Sequence, residues 1–303
     1  MNREFLEEIK QVLSEEQIWE DERMSRHTTF RVGGKADIFL QPHCEQIAGV
    51  IRLCKSYDVP YTVIGNGSNL LVSDAGIRGA VIELGRQASE ITVEGTMVTA
   101  QAGAMLAKAA NQAAAAGLTG MEFAAGIPGT IGGAVFMNAG AYGGEMSQIL
   151  REVTILTPDG TQQRLSVQEL DMGYRHSSIE ERQAIVLSAV IELAAGQKDA
   201  ILTRMEELKQ QRVARQPLEY PSAGSTFKRP EGYFAGKLIM DAGLAGYTVG
   251  GAMVSKKHCG FVINKGGATA ADIVAVMQHV REEVERQFGV TLEAEVRKLG
   301  EFA

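Results

Sequence analysis

The sequence predicts an α+β protein of two or three domains, and three observations carry that reading. Helical periodicity marks both ends of the chain, while from Leu70 to about Ala195 the pattern is that of strands. Two glycine-rich segments, Gly65-Asn66-Gly67-Ser68-Asn69 and the stretch from Gly126 to Gly144, punctuate the strand-forming regions. The 303 residues are 45% hydrophobic, which is enough for more than one core.

In chain order, residues 2–19 place Phe5, Ile9, Val12 and Leu13 at the spacing of one helical face. Ile38-Phe39-Leu40 is a short strand after the turn-forming Gly33-Gly34. Pro42 to Tyr57 reads as a helix with Ile47, Val50, Ile51 and Cys54 inward, and Tyr61-Thr62-Val63-Ile64 is the strand that delivers the first glycine loop. Strands follow at 81–84, 91–93, 97–100, 153–156 and 185–190, with a turn at Pro158-Asp159-Gly160. Ala104 to Ala116 is the one helix expected among them. A charged helix, 200–215, then leads through Pro217 and Pro221 to a third unit. That unit holds a helix over 233–242, a strand over 260–264 and a long helix over 269–289, with Thr269 and Asp272 suited to its start.

Composition excludes several classes of function. A net charge of −7 gives no basic face for nucleic acid. The opening MNREFLEEIKQVL lacks the apolar core of a signal peptide, and no run approaches the length of a membrane span. Cys44, Cys54 and Cys259 lack metal-ligand spacing and read as free thiols of a reducing cytoplasm. His176, His258 and His279 show no metal spacing either, so no metal is expected. Oligomeric state is left open.

The glycine segments are where the backbone itself can touch a ligand, because bare N–H groups can converge on an anion. The first loop does not fit the Rossmann fingerprint: Gly65 and Gly67 match its first two glycines, but Leu70 stands at the third. No P-loop occurs, which argues against ATP hydrolysis. Two cradles in one chain suit a dinucleotide cofactor better than a single phosphate.

Six ordered motifs carry a family resemblance. They are Gly33-Gly34-Lys35-Ala36-Asp37, Gly65-Asn66-Gly67-Ser68-Asn69, the run from Gly126 to Gly133, Tyr174-Arg175-His176-Ser177, Ala223-Gly224-Ser225-Thr226-Phe227-Lys228, and Leu292-Glu293-Ala294-Glu295-Val296-Arg297. Together they resemble the UDP-N-acetylenolpyruvoylglucosamine reductases of bacterial cell-wall synthesis, from about Thr28 to Gly300. The resemblance implies an FAD-binding fold of the vanillyl-alcohol-oxidase-like type in two subdomains, with a C-terminal α+β substrate domain. The implied boundaries are 1–69 and 70–199 for the cofactor subdomains and 200–290 for substrate, with 291–303 returning to the first subdomain. No tyrosine-bearing insertion separates Arg175 from Ser225, so the chain looks like the shorter subtype; Arg229 stands where some members have asparagine.

The resemblance implies non-covalent FAD, NADPH as co-substrate and an enolpyruvyl ether of a UDP-sugar as substrate, in peptidoglycan precursor synthesis. Gly65, Asn66, Gly67, Ser68 and Asn69 would hold the diphosphate. Gly126, Ile127, Pro128, Gly129, Thr130, Gly132 and Gly133 would lie along the flavin, flanked by Ile185 and Val186. Hydride addition to the substrate builds negative charge on its carboxylate, which asks for a cation, and Arg175 is the candidate because its planar fork can grip a carboxylate. Ser225 is the proton donor that the motif selects. Spacing alone puts Glu293 and Glu295 on one side of a strand; the motif selects Glu295 as the third catalytic group. Tyr174, Lys228, Tyr233, Lys237 and Asn264 are candidate substrate ligands. A different FAD oxidase or dehydrogenase on this fold, or a flavin-binding module without turnover, are the other readings.

Overall fold

The computed structural model describes residues 3–302; Met1, Asn2 and Ala303, and so the first residue of the expected 2–19 helix, lie outside them. Seven α-helices occur among the described residues: α1 Arg3–Val12, α2 Ile47–Ser56, α3 Leu106–Ala115, α4 Ile131–Phe136, α5 Lys198–Arg215, α6 Ala235–Asp241 and α7 Ala270–Phe288. The first is shorter than periodicity suggests. After Val12 the chain leaves the helix, Ser14 N–H donates to Oε1 of Gln17 (3.0 Å), and Ile18–Arg23 becomes a strand.

The chain forms two compact units. The first takes in residues 3–20, Ile38–Asn66 and Gly79–Arg212. Its strand-rich part is an antiparallel five-stranded sheet in the order Gln162–Ser166, Leu150–Leu156, Ile185–Glu192, Met97–Gln101, Ile91–Glu94. A second sheet orders Ile18–Arg23, Lys35–Leu40, Ile77–Glu83 and Tyr61–Ile64, the last two parallel. The core of this unit combines Phe5 and Ile9 of α1 with Ile47, Val50 and Ile51 of α2, the alanine face of α3, and Val153, Ile155, Ala189 and Ile191 of the large sheet. Alanine at Ala109, Ala110 and Ala113 lets α3 lie close to its neighbours without a gap. Several elements were not foreseen, two of them in this unit's larger parts. Gln162–Ser166 is a polar edge strand with Leu165 as its buried residue, and α4 forms inside the second glycine segment.

The second unit gathers Asp21–Asp37 and Gly67–Arg78 with residues 213–302. Its antiparallel sheet orders Thr248–Val249, Ala252–Val254 and Val262–Asn264. Helix α7 buries Ile273, Val276, Met277, Val280 and Val284 along one stripe, as its periodicity predicts. Phe30, Val32 and Leu71 share this core with Phe227, Ile239 and Leu292. Near the end of the chain, Arg297–Leu299 pairs in parallel with Leu70–Val72. His279 is half-buried and stacks on Tyr247, with ring centroids 4.1 Å apart.

The start of α7 is doubly capped. Thr269 Oγ1 accepts from Asp272 N–H, and the Asp272 carboxylate accepts from the N–H groups of Thr269 (3.0 Å) and Gly251 (3.3 Å). Asp74 adds a second carboxylate, which accepts from Ala270 (2.8 Å) and Ala271 (2.9 Å). The Thr269 N–H, ahead of the weaker opposing effect of burial, holds the Asp272 carboxyl below its ordinary pKa. Its stabilising effect is therefore complete above the unfolded aspartate pKa of about 3.9 and is lost as pH falls through the lower folded-state value. Asp272→Asn should flatten the acid side of a plot of urea midpoint against pH between pH 7 and 3; an unchanged slope would remove this account of the cap.

Candidate active site

In the first unit, strand Tyr61–Ile64 leads directly into Gly65 and Asn66. Asn66 Nδ2 donates to the carbonyl of Pro128 at 2.6 Å. A β-carbon on Gly65 would stand 2.3 Å from Thr130 Oγ1, closer than atoms can approach. The two glycine segments that the sequence assigns to one cofactor thus meet, at 65–66 and 128–130. Thr130 caps α4 by accepting from Gly133 N–H, while Leu106 N–H donates to the Gly129 carbonyl at 2.9 Å. Other glycines of the second segment serve the protein itself. A β-carbon on Gly144 would stand 2.5 Å from the Phe123 ring, and one on Gly132 3.0 Å from Ala102. Ile185 and Val186 pair with Leu156 and Ile155 in the large sheet.

Tyr174 and Arg175 form the tip of a tight turn closed by reciprocal backbone bonds between Gly173 and His176, at 3.1 and 3.2 Å. Arg175 has φ +56°, a left-handed conformation unusual for an arginine, and its guanidinium lies over the exposed Tyr174 ring at 5.1 Å. Two buried polar side chains hold this turn. Asn138 donates to the Gly173 carbonyl (3.0 Å) and accepts from Ser147 N–H (2.9 Å); Ser177 Oγ donates to the Phe136 carbonyl (2.8 Å). Both are about 1% exposed.

The second unit brings Ser225 and Glu295 into the same neighbourhood. Thr226, fully buried, accepts from Glu295 N–H through its carbonyl at 2.9 Å, and Phe227 bridges antiparallel to Ala294. Thr226 N–H donates to the Gly260 carbonyl, and its hydroxyl accepts from Val262 N–H. Asn69 Nδ2 donates to the Glu295 carbonyl (3.0 Å), and Arg297 N–H donates back to the Asn69 carbonyl (2.9 Å). Three expected site residues, Asn69, Ser225 and Glu295, therefore share one small region. Gly67, with φ +62°, lies so close to His27 that a β-carbon would fall 2.0 Å from the His27 carbonyl oxygen. Beside it, Thr29 N–H donates to the Gly67 carbonyl, while Thr29 Oγ1 is buried without a hydrogen-bond partner. An orphaned hydroxyl next to bare loop backbone suits a phosphate oxygen. Within the second unit, the bare backbone at 67–69 beside Thr29 thus fits a phosphate group of a cofactor.

The substrate candidates differ in their engagement. Lys228 pairs with the Glu293 carboxylate and Lys237 with Asp241 (2.7 Å), all on the surface. Tyr233 is half exposed. Asn264 is buried; it donates to the Phe30 carbonyl and accepts from Gly266 and Ala268 N–H, so its amide oxygen is already saturated by backbone. His258, which accepts from Gly260 N–H through Nδ1, is held below its ordinary pKa by burial and is neutral at pH 7. Sequence reasoning missed Asn138 and Thr226, short polar residues whose role lies in their buried bonds, and Thr29, whose buried hydroxyl lacks a partner.

Comparisons with known proteins agree along the whole chain. Residues 216–299 match the family described as UDP-N-acetylenolpyruvoylglucosamine reductase, C-terminal domain, and residues 36–166 match the FAD binding domain family. A UDP-N-acetylenolpyruvoylglucosamine reductase of Agathobacter rectalis is 54% identical, with all of both chains covered. That of Lachnoclostridium phytofermentans is 52% identical over 99% of each chain. The crystal structure of the Thermus caldophilus reductase matches with a TM-score of 0.81 at 36% identity, over 92% of this chain and 98% of that one.

Asn138 generates a prediction of its own. Asn138→Ala strands Ser147 N–H, at about 1–3 kcal/mol, and removes one of the two donors to the Gly173 carbonyl, which keeps His176 N–H. Urea unfolding should register that loss, and limited proteolysis should speed up in the 173–176 turn. A stability equal to the parent's would mean that the turn holds itself.

Proposed function

Because the chain belongs to the UDP-N-acetylenolpyruvoylglucosamine reductase family, we propose that Ser225, Glu295 and Arg175 are the residues with which it carries out that family's reaction. The protein is an FAD-containing oxidoreductase that reduces the enolpyruvyl ether of UDP-N-acetylglucosamine to UDP-N-acetylmuramate for peptidoglycan synthesis, with NADPH as co-substrate. When bound, FAD would supply the hydride chemistry that links NADPH to C3 of the enolpyruvyl group. What remains for the protein is to hold the substrate, to stabilise charge and to deliver one proton to C2.

Negative charge grows on the substrate carboxylate as the hydride arrives. Arg175, at a turn tip braced by Asn138 and Ser177, is the group suited to meet it, since a guanidinium offers paired N–H donors to a carboxylate. Ser225 is the proton donor. A hydroxyl is a weak acid, but its partner is a strongly basic enolate-like carbon, so the donor need not be ionised beforehand. Gly224, at φ +77° with open space where a β-carbon would stand, leaves the approach to Ser225 unobstructed. Glu295 polarises the same double bond. The observation that carries this reading is the backbone pairing of residues 226–227 with 294–295, which keeps Ser225 and Glu295 neighbours on two chain segments far apart in sequence.

The cofactor is held by Gly65–Asn69 and Gly126–Gly133, with Ile185 and Val186 beside it. Tyr174, Lys228, Tyr233 and Lys237 contact the substrate, and Asn264 shapes the loop they share through its backbone bonds. In this reading 1–69 and 70–199 serve the cofactor and 200–290 the substrate, with 291–303 returning to the first part. The cytoplasm is the compartment proposed, on the strength of three free thiols, and no helix of the described residues is long and apolar enough to cross a membrane.

Separated half-reactions test the roles. The FAD-loaded protein should lose its yellow colour with NADPH under anaerobic conditions and regain it on addition of the enolpyruvyl-UDP-sugar. Ser225→Ala should keep the first step and slow the second roughly 10²–10⁴-fold, equivalent to about 3–5 kcal/mol. Equal damage to both steps would make Ser225 structural. Arg175→Lys should weaken the second step while leaving reduction by NADPH near the parent rate.

A further inference from the structure

The turn that presents Arg175 is tied at two points to one short helix. Ser177 Oγ donates to the carbonyl of Phe136, the last residue of α4, and Asn138 Nδ2 donates to the Gly173 carbonyl from two residues beyond. The bonds fall on either side of Arg175, so the turn cannot pivot about a single contact. The turn is a poor host for arginine, because φ +56° at its second central position suits glycine or asparagine. A residue strained in this way persists where its surroundings hold it, and such residues gather at functional sites.

Asn138 does two separable things. Its backbone, at φ +41°, ends α4: Asn138 N–H donates to the Val135 carbonyl (3.2 Å) and Ala139 N–H to the Ala134 carbonyl (2.8 Å), the paired bonds of a left-handed helix terminus. Its side chain, 1% exposed, donates from Nδ2 to Gly173 and accepts Ser147 N–H at Oδ1. Glycine would serve the backbone role at least as well. The asparagine is there for its amide.

The other end of α4 lies in the second glycine segment. Thr130 caps it through Gly133 N–H, and Thr130 Oγ1 is the atom that a β-carbon on Gly65 would meet. Six helical residues join the backbone at 130–133 to the 173–177 turn, a rise of about 9 Å. A hydrogen-bonded helix does not stretch, so α4 sets the separation between the two.

We infer that Asn138 and Ser177 are positioning residues for the reaction: through α4 they fix the Arg175 guanidinium at a set distance from the cofactor-holding segment, where the substrate carboxylate is gripped. The inference rests on the reading that Arg175 meets that carboxylate. Asn138, buried with its amide engaged, acts only through the arginine.

The test compares two ligands of the FAD-loaded protein by calorimetry: UDP-N-acetylmuramate, which carries the carboxylate, and UDP-N-acetylglucosamine, which lacks it. Asn138→Gly keeps the helix end and removes the amide. It should raise the Kd for the first ligand roughly 3- to 10-fold, part of what a charge-assisted bond contributes, and leave the second at the parent value. Ser177→Ala should act in the same direction by a smaller factor. In stopped flow, Asn138→Gly should be reduced by NADPH near the parent rate and reoxidised by the enolpyruvyl substrate about 10- to 100-fold more slowly, the scale of a misplaced reacting group. On an Arg175→Met background, Asn138→Gly should change neither Kd nor rate further, since the arginine through which it acts is gone. Full additivity there, equal weakening of both ligands, or parent-like behaviour of Asn138→Gly would overturn the inference and leave the role of Arg175 standing. Parent-like binding of UDP-N-acetylmuramate by Arg175→Met would overturn that role and the inference with it.

Discussion

Thr226 has no exposed surface, and each of its hydrogen-bonding groups is spent on holding two other segments in place. Its N–H goes to Gly260, its hydroxyl receives Val262 N–H, and its carbonyl receives Glu295 N–H. Together with the bond from Lys228 N–H to the Glu293 carbonyl and the bridge between Phe227 and Ala294, that junction runs the 225–228 and 292–297 segments side by side. The neighbouring bonds from Asn69 to the Glu295 carbonyl and from Arg297 to Asn69 join the first glycine loop to the same junction. One buried threonine thus links the segments that carry Ser225, Glu295 and, through Asn69, the first glycine loop within a single unit. The linkage is made through backbone N–H and carbonyl groups together with the Thr226 hydroxyl and the Asn69 amide.

A different device works in the other unit. There the Gly65 backbone lies so close to the Thr130 side chain that no β-carbon fits between them, and Asn66 adds a bond to the Pro128 carbonyl. Glycine is needed at Gly65 for that contact, quite apart from any ligand. The arrangement explains why glycine-rich segments are such an ambiguous signal. Some of these glycines are dictated by Thr130, Phe123 or Ala102, others by a turn, and the pattern of letters does not distinguish them from those that face a cofactor.

Much of the fold can be read locally. The strand Tyr61–Ile64, the alanine-faced helix α3 and the long helix α7 follow from periodicity and capping residues, and their observed ends fall within two residues of the expected ones. What escaped was either too short or too distant. Helix α4 has six residues, two of them glycine, and owes its existence to the Thr130 cap and packing of Ile131 and Val135 rather than to propensity. Gln162–Ser166 is an edge strand whose outward polar residues hide the alternation. The inclusion of 21–37 and 67–78 in the C-terminal unit depends on parallel pairing of Leu70–Val72 with Arg297–Leu299, for which neither segment carries a local mark. At the candidate site the motif residues were legible because of the family pattern. Asn138 and Thr226 were not, because a buried amide and a buried hydroxyl look ordinary until their surroundings are known.

The engaged state of Lys228 and Lys237 does not remove them from substrate binding, and the reason is energetic. Both pairs, with Glu293 and Asp241, are on the surface, where such a bridge is worth about 0–1 kcal/mol. A diphosphate, with more charge and more acceptor oxygens than one carboxylate, can draw either lysine away at little cost. Asn264 is in the opposite position. Its bonds to Phe30, Gly266 and Ala268 are buried, and releasing them would strand backbone groups at about 1–3 kcal/mol each. The surface lysines therefore hold their present partners loosely, whereas Asn264 keeps the 264–268 loop in one shape. Burial, more than residue type, separates the groups that can bind from those that hold the frame.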